Sequence, residues 1–235
     1  NLENRFNLFQ IPPTIKFGYY GEYRTRNFDA RNIGFVKGSN YNPTNDELSL
    51  PFDQIFTDSN FDYTNGITIN ERTSKSDSYK ASNSLFAGYI GVNIPFSIKL
   101  NLYGGIRAEY NRMQLSGYDA GMETPIEVDN KGVDIFPTIN LNYKFTEKML
   151  IRLAYGKTIN RPEFREIAPY LFYDFNEAAV YEGNPDLTNA LVDNYDVRFE
   201  YYPSPTETVS FALFHISFAN PIELVYKNAG SGLQY

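Results

Sequence analysis

The feature that most constrains this chain is a strict alternation of apolar and polar residues, sustained over ten or more positions in several segments. A β-strand places successive side chains on opposite faces of a sheet, whereas helical positions repeat every 3.6 residues. The clearest case has apolar residues or glycine at the even positions from Ile98 to Tyr110, with mostly polar or charged residues between them. The alternation therefore predicts strands with one apolar and one polar face.

The same alternation predicts seven strands. Their approximate residue numbers are 15–24, 84–95, 98–111, 134–145, 149–158, 194–201 and 207–219. Phe136 breaks the pattern within the fourth strand, and the second and seventh strands are less regular. Tight reversals are predicted at 95–97, 145–147 and 203–206, and long connections at 29–83, 112–133 and 160–192. Every tight turn is thus expected at one end of the sheet and every long loop at the other.

Composition removes several classes of function. With 28 acidic and 21 basic residues the chain carries a formal charge of −7, and this acidic balance opposes nucleic-acid binding. The absence of cysteine excludes disulfides, thiolate metal sites and a cysteine nucleophile. A single histidine, His215, leaves little for a histidine-rich metal site or a serine-histidine triad. We therefore predict no enzyme, no catalytic residues, no bound metal and no cofactor.

A membrane barrel and a soluble sandwich both present one apolar and one polar face. Several predicted strands approach the ~9 to 11 residues that cross a bilayer at a tilt, and tight turns opposite long loops are typical of outer-membrane barrels. The 20 Tyr and 19 Phe include two candidate interfacial belts on the apolar face. One belt is Tyr143, Phe145 and Tyr201, and the other is Tyr23, Tyr110 and Tyr155. The sequence thus favours an antiparallel transmembrane β-barrel over a sandwich.

Seven strands with loops this long make a poor closed barrel, because an unpaired strand edge in hydrocarbon is costly. The chain does not begin with methionine, and it ends in loop-like residues after Gly230. We therefore expect a barrel fragment, with residues 1–235 forming part of one β-barrel domain and the remaining strands outside this sequence.

Three motifs follow one another in the C-terminal half. They are Arg161-Pro-Glu-Phe-Arg-Glu166, then Gly183-Asn-Pro-Asp-Leu187, then Asn194-Tyr-Asp196 at the start of a strand. In this order they resemble the barrel of TonB-dependent outer-membrane receptors, most closely over residues 134–226. The segment 172–175 is similar to the Bacteroidetes-type receptors. Residues 188–190 depart from the usual Pro-Glu continuation of the second motif.

The resemblance implies a bacterial outer-membrane barrel of about 22 strands, embedded in lipid and plugged by its own N-terminal domain, which this sequence lacks. It implies a receptor that binds a scarce nutrient outside (siderophore, cobalamin, glycan or peptide) and imports it with energy from the TonB inner-membrane complex. A surface lipoprotein is a further partner in some such systems. Two alternatives stay open: a barrel with a structural or secretion role without import, and a soluble carbohydrate-binding β-sandwich.

Candidate binding residues cluster in the connection at 160–192. Four charged residues could hold a ligand or the plug, or form a solvated, mutually paired rim: Arg161, Glu163, Arg165 and Glu166. Five rings could stack on a sugar or a flat siderophore, or pack on one another: Tyr170, Phe172, Tyr173, Phe175 and Tyr181. Polar-face residues are expected to form charge ladders towards the lumen: Lys16, Arg24, Arg107, Glu109, Arg152, Arg198 and Glu200.

Overall fold

The computed structural model describes residues 2–5, 12–119, 121, 123–174, 176–177, 179–228 and 233–234. Its main feature is an antiparallel sheet of eight strands in the order β1-β2-β5-β6-β7-β8-β11-β12. These strands are β1 (Leu2–Arg5), β2 (Thr14–Asp29), β5 (Ser78–Pro95), β6 (Leu100–Tyr118), β7 (Pro125–Lys144), β8 (Met149–Asn160), β11 (Ala190–Tyr201) and β12 (Val209–Ala219). All seven predicted strands are present, with β1 as an eighth. The prediction of an all-β, antiparallel barrel fragment is confirmed.

The remaining strands and α-helices are small and lie in the connections or after β12. They are β3 (Ile33–Lys37) paired with β4 (Ile67–Glu71), β9 (Leu171–Asp174) paired with β10 (Ala179–Glu182), β13 (Lys227–Asn228), β14 (Leu233–Gln234), and the short helices α1 (Asn45–Leu48), α2 (Phe52–Ile55) and α3 (Phe164–Ile167). Within the described residues, no helix is both long and apolar enough to cross a membrane.

The tight turns after β5, β7 and β11 lie at one end of the sheet, as predicted, because these strands pair in antiparallel order. At the opposite end one prediction was wrong. Residues 112–133 do not form a long loop, since β6 continues to Tyr118 and β7 begins at Pro125, which leaves only 119–124 as the connection. The long connections at this end, which we call the outer end, are 30–77 and 161–189.

β6 is longer than predicted because its apolar residues move from one face of the strand to the other beyond Tyr110. Up to Tyr110 the even positions are apolar, but beyond it they carry polar residues such as Arg112, whose guanidinium binds Asp129 on β7 at 2.8 Å. At the odd positions of this outer part, Met113 and Leu115 are buried, with 4% and 2% of their surface exposed. The strand therefore continues with the same alternation, but beyond Tyr110 its apolar residues lie on the inner side and its polar residues on the outer side.

Below this inversion the apolar face carries large exposed side chains. They include Phe86 (59% exposed), Ile106 (47%) and Ile135 (54%) on three successive strands. Side chains this exposed are not covered by a second layer within the described residues, so the sandwich alternative is not supported. On β6 the apolar positions run from Leu100 to Tyr110, close to the ~9 to 11 residues needed to cross a bilayer. We call this lipid-facing side the outer face and the opposite side the inner face.

The predicted aromatic belts would mark the membrane boundary, and members of both belts make ring contacts on the outer face. Tyr143 packs edge-on against Phe145 beside a tight turn, with ring centroids 4.9 Å apart. Towards the outer end, the Tyr155 and Tyr195 rings lie tilted to each other with centroids 5.0 Å apart, and His215 lies 6.0 Å from the Tyr195 ring. Aromatic side chains with a polar tip are favoured at this boundary, where one end of the side chain is in lipid and the other is in water.

The irregular residues of the sequence have positions on the inner face. Phe136 lies opposite Arg107 on β6 and is only 8% exposed, so it is a buried inner-face residue rather than a break in the strand. On β12 the inner positions Phe214, Ile216 and Phe218 are apolar as well, which explains why alternation there was weak.

The hydrophobic core lies above the apolar band, between the inner face and the connection 161–189. Tyr79, Ala81, Met113, Leu115 and Val128 supply the wall from β5, β6 and β7, and α3 packs against them. Burial of apolar surface here, at ~25 cal/mol per Å², holds the connection on the sheet. The core is therefore built by strand ends and one loop, not by two layers of secondary structure.

Candidate functional site on the inner face

Arg161 is the point at which the connection 161–189 is attached to the wall. It follows the end of β8, and its guanidinium reaches Glu109 of β6 at 2.8 Å and Asp134 of β7 at 3.3 Å. Glu109 also binds Arg107. The side chain of Arg161 is 16% exposed and that of Glu109 is 9% exposed. Removal of one member of a pair this enclosed is strongly destabilising, because the other charge is left buried without a partner. Arg161 therefore fixes the start of the loop to both β6 and β7.

The helix α3 follows at once and is buried by its apolar residues. Ile167 and the next residue, Ala168, have no exposed surface, and Phe164 is 6% exposed. The backbone N–H of Glu163 donates to the Glu166 carboxylate at 2.8 Å, which satisfies one free donor at the helix start. The predicted charged residues Glu163 and Glu166 thus cap the start of α3, and both remain exposed to solvent.

The second motif closes around α3. A side chain on Gly183 would place its Cβ 2.1 Å from the Ala168 carbonyl oxygen, so only glycine fits this approach. The next residue, Asn184, donates its backbone N–H to the Glu166 carbonyl at 2.7 Å, and the N–H of Leu187 returns to the Asn184 carbonyl at 3.2 Å. Leu187 then packs on the core. This motif is therefore a structural clasp for the loop.

The predicted rings divide into packed and accessible ones. Tyr170 lies against the core, with its ring 4.9 Å from Phe28 of β2 in an edge-on arrangement. Burial, together with the charge of Asp77, raises the pKa of the Tyr170 phenol. Phe172 carries the Arg165 guanidinium over its face at 4.2 Å from the ring centroid. A cation over a ring is an attractive contact, so these two predicted residues form one unit.

The hairpin of β9 and β10 presents the remaining predicted rings. Tyr173 is 45% exposed, beside the exposed Leu171. Tyr181 donates its phenolic hydrogen to Glu177, and this raises the pKa of Tyr181 to about 12, because ionisation would lose the hydrogen bond and place two negative charges together. The predicted ring Phe175 lies outside the described residues. The structure thus brings Arg165, Phe172, Tyr173 and Tyr181 onto one short hairpin and the adjoining helix.

Farther down the inner face, six of the seven residues predicted as charge ladders form ion pairs, most of them within one strand and not across strands. Arg152 of β8 binds Glu200 of β11 at 3.2 Å, and Arg198 binds the same carboxylate at 3.0 Å. Near β2, Arg24 binds Glu22 at 2.8 Å and approaches Glu163 of the loop at 3.9 Å. A groove of about 390 Å³ crosses this surface. Its lining consists of Tyr103, Asn140, Asn142, Arg152, Leu153, Ala154, Asp196 and Arg198.

Within the described residues, no group of three or more His, Asp or Glu side chains is placed to hold a metal ion. Asp134, Ile167 and Gly183 were not recognised as site residues from the sequence. Asp134 was visible only as one more polar position of a strand, and its role requires Arg161 to reach it from 27 residues away.

The chain shares its fold with solved receptors. The ferric-catecholate import receptor Fiu of E. coli K12, in its closed form, aligns with a TM-score of 0.57 and 14% identity over 98% of this chain and 32% of that one. The Serratia marcescens hemophore receptor HasR, solved with its hemophore HasA and heme, aligns with a TM-score of 0.51 and 13% identity over 92% of this chain and 35% of that one. Thus the chain spans about a third of their length.

Among curated proteins, none matches this chain. The outer membrane protein beta-barrel family model matches residues 47–232, a range that covers β5 to β12, the connection 161–189 and the larger part of the connection 30–77. The family match and the shared receptor fold agree with the exposed apolar band, the belts and the paired inner face. The chain therefore belongs to the outer membrane protein beta-barrel family, and it forms part of a barrel in the bacterial outer membrane.

Proposed function

We propose that this chain forms part of the wall of a nutrient importer, in which cargo binds at the outer end and passes inward along the inner face. The observation that carries the proposal is the placement of the connection 161–189. It folds over the inner face and is held there by Arg161 and the buried α3. A purely structural barrel has no evident use for a loop held over its own lumen, whereas an importer needs a surface there to bind cargo.

In this proposal the predicted residues have two roles. Arg161 and Tyr170, which are enclosed by the wall and the core, position the loop. Arg165, Glu166, Phe172, Tyr173 and Tyr181 face the cargo or the plug from the loop surface. Aromatic faces and an arginine suit a ligand with flat rings or sugar faces and acidic groups. The protein performs no chemistry on the cargo in this scheme.

The rest of the importer is proposed with it. An N-terminal plug would fill the lumen against the paired inner-face residues, and the TonB complex would supply energy to move it. The two receptors of similar fold, whose names describe ferric-catecholate import and hemophore and heme binding, support import as the role of this fold. Siderophores, cobalamin, glycans and peptides are the four cargo classes to test.

The test is uptake by cells that lack the full-length gene, complemented with wild-type or variant protein. Each cargo class is supplied in turn as the limiting source. We expect one class to support growth only with the wild-type gene, and a proton ionophore to abolish its uptake. Unchanged uptake of all four classes on deletion would contradict import and favour the structural or secretion role.

A matched pair of variants tests the surface within the importer. Tyr173→Ala removes an exposed ring from the β9/β10 hairpin, and we expect cargo affinity to fall about tenfold, as for a ring at the centre of a contact. Tyr63→Ala removes an 83% exposed ring from the other long connection and serves as the control. Equal cargo affinity in the two variants would remove Tyr173 from the binding surface.

A further inference from the structure

The connection 30–77 carries four phenylalanines that touch one another but remain exposed. Phe35 lies 4.8 Å from Phe56 and 5.9 Å from Phe61 between ring centroids, and Phe52 lies 6.0 Å from Phe56. Their exposed fractions are 52% for Phe35, 80% for Phe52, 37% for Phe56 and 38% for Phe61. We call this group the aromatic cluster. A contiguous exposed apolar patch on an outer loop marks an interaction surface.

The backbone beneath the cluster is closed by its own hydrogen bonds. Gly38 donates its N–H to the Gly66 carbonyl at 2.7 Å, and Asn40 donates to the Thr64 carbonyl at 2.8 Å. The Asn60 side chain donates to the Ile55 carbonyl at 3.0 Å. Because this segment is already organised, binding there would not need to order it, which lowers the entropic cost of association.

One glycine shows how closely this segment is folded. A Cβ on Gly66 would lie 2.3 Å from the Asn60 carbonyl oxygen, so the backbone strands meet without room for a side chain. The Asp62 carboxylate accepts two backbone hydrogen bonds, from Thr64 at 2.8 Å and from Asn65 at 2.6 Å. The rings thus project from an ordered platform rather than from an extended loop.

The charge around the cluster is mainly negative, although Lys37 lies two residues from Phe35 on β3 and Glu71 is paired with Arg31. No Lys, Arg or His occurs between Lys37 and Arg72, whereas acidic residues are spread through this segment. They are Asp46, Glu47, Asp53, Asp58, Asp62 and Glu71. Hydrogen bonds from Thr44 lower the pKa of Glu47, and backbone N–H groups lower that of Asp62. Both carboxylates are therefore ionised at neutral pH, and the rim of the cluster is negative.

We propose that the aromatic cluster and its acidic rim form a docking surface for a polypeptide at the cell surface whose apolar side chains are flanked by Lys or Arg. Rings bury apolar area against such a partner, and complementary charge steers and selects it. A second copy of this chain is a poor occupant because each copy presents the same negative rim and carries a net charge of −7. An anionic lipid surface is repelled for the same reason.

This surface is separate from the proposed import function. It lies on the connection 30–77, whereas the candidate cargo surface lies on 161–189. Loss of docking with normal nutrient uptake would affect the docking proposal alone, and normal docking without uptake would affect import alone. The two proposals therefore stand or fall by different measurements.

The experiment uses the full-length protein in detergent micelles with two labelled synthetic peptides of the same apolar residues. One alternates these with Lys and the other with Glu. We expect the Lys peptide to bind at least about tenfold more tightly by fluorescence anisotropy, and added salt to weaken it. Equal binding of the two peptides, or binding that salt does not change, would overturn the charge selection.

Variants locate the binding. Phe52→Ser removes the most exposed ring of the cluster, and we expect the affinity for the Lys peptide to fall about tenfold. Phe96→Ser, at the tight turn on the opposite end of the sheet, makes the same change at a residue that is 51% exposed and should leave binding unchanged. Asp53→Asn keeps all four rings and removes one negative charge. It should therefore lower the affinity for the Lys peptide and leave the affinity for the Glu peptide unchanged. Equal affinities of wild type and both cluster variants would overturn the site.

Accessibility in the whole protein gives a last check. Phe52→Cys introduces a cysteine into a chain that has none, and a membrane-impermeant maleimide should label it on intact cells. Absence of labelling in a variant that still reaches the outer membrane would mean that another part of the same protein covers the cluster. Concentration-dependent self-association that Phe52→Ser abolishes would make a second copy the occupant. Either result overturns the proposal.

Discussion

The two long connections at the outer end of the sheet contain similar elements, but one packs on the wall and the other leaves its rings exposed. Residues 30–77 and 161–189 each contain a hairpin, a four-residue helix and several rings. In the second connection Phe164 and Ile167 are buried against the wall. In the first, the rings of the aromatic cluster stay exposed, and Ile67 is its one buried large hydrophobic among the described residues. Aromatic content alone does not decide whether a loop packs.

The attachments of each connection account for the difference. The second is fixed to the wall at its start by the ion pairs of Arg161, and the clasp at Gly183 and Leu187 fixes it again before β11. The first connection closes on itself, through backbone bonds such as Gly38 to Gly66. A loop that packs on the inner face buries its apolar residues, whereas one that folds on itself leaves its rings exposed.

The largest expected effect concerns the clasp. Gly183→Val places a branched side chain where even a Cβ would lie 2.1 Å from the Ala168 carbonyl oxygen, and backbone cannot yield as a flexible side chain does. We expect the connection 161–189 to leave the wall. Hydrogen exchange of the full-length protein in nanodiscs should show loss of amide protection across α3, with the sheet unaffected.

The control for this change is Gly132→Val on β7. A Cβ on Gly132 meets no atom within 4 Å, and valine suits a strand, so amide protection should stay at its wild-type level. Protection of α3 that survives Gly183→Val would show that the clasp is not needed to hold the loop, and the contrast between the two connections would need another cause.

A pair of isoleucines tests burial in the two connections directly. Ile167 has no exposed surface, whereas Ile69 on β4 is 59% exposed. Truncation of a buried isoleucine to alanine costs about 2 to 5 kcal/mol because it loses contacts and leaves a cavity. We expect Ile167→Ala to lower the free energy of opening of its loop by ~3 kcal/mol by hydrogen exchange.

The matched change Ile69→Ala should alter the opening of the first connection by less than ~0.5 kcal/mol, as for an exposed site. Similar losses at both positions would mean that Ile69 is covered in the whole protein. That result would also argue against an accessible surface on the connection 30–77.

The ion pairs offer a third comparison. Arg161→Gln removes the charge that faces Glu109 and Asp134, and it leaves Glu109 with Arg107 as its remaining partner. Loss of one member of an enclosed pair is costly, but the side chain is 16% exposed, so we expect a loss of ~2 kcal/mol in loop docking by hydrogen exchange.

Arg31→Gln is the corresponding change in the other connection, where Arg31 binds Glu71 at 2.8 Å with both side chains open to solvent. Exposed pairs contribute little, so its effect should be clearly smaller. A larger loss for Arg31→Gln than for Arg161→Gln would reverse the assignment of which connection depends on charge. It would also remove Arg161 as the anchor of the second connection.

These contrasts show which features alternation could predict. It predicted the seven strands because those depend on neighbours along one strand. It failed at 112–133 because the apolar positions change from even to odd there. Arg112 is polar at an even position, and Met113 is apolar and buried at an odd one. The end of the apolar pattern at Tyr110 is not the end of the strand, which continues to Tyr118. A pattern of unchanged period but opposite phase beyond Tyr110 is the signal that would have extended it.

The candidate site was predictable in its location but not in its roles. Arg161 and Tyr170 were singled out as residue types suited to a ligand. Arg161 finds Glu109 at a distance of 52 residues along the chain, and Tyr170 finds Phe28 on β2. Such partners depend on which strands are neighbours in the sheet and on how the loop folds back. One strand at a time cannot show either.

The smallest expected effect is an acid response confined to the first connection. The Arg31 guanidinium and the Thr73 hydroxyl hold the pKa of Glu71 at about 2, below its ordinary value of 4.5. A carboxylate with a lowered pKa stabilises the fold above its ordinary pKa, and that contribution is lost as the pH falls through the folded value. The β3/β4 hairpin should therefore open more readily between pH 4.5 and 2.

Hydrogen exchange, corrected for intrinsic rates, measures this response. As the pH falls over this range, the amide protection of the β3/β4 hairpin in the wild type should approach that in Glu71→Gln, with the β9/β10 hairpin as the internal reference. Equal loss of protection in both hairpins would indicate general acid unfolding and would remove the Arg31–Glu71 pair as the cause.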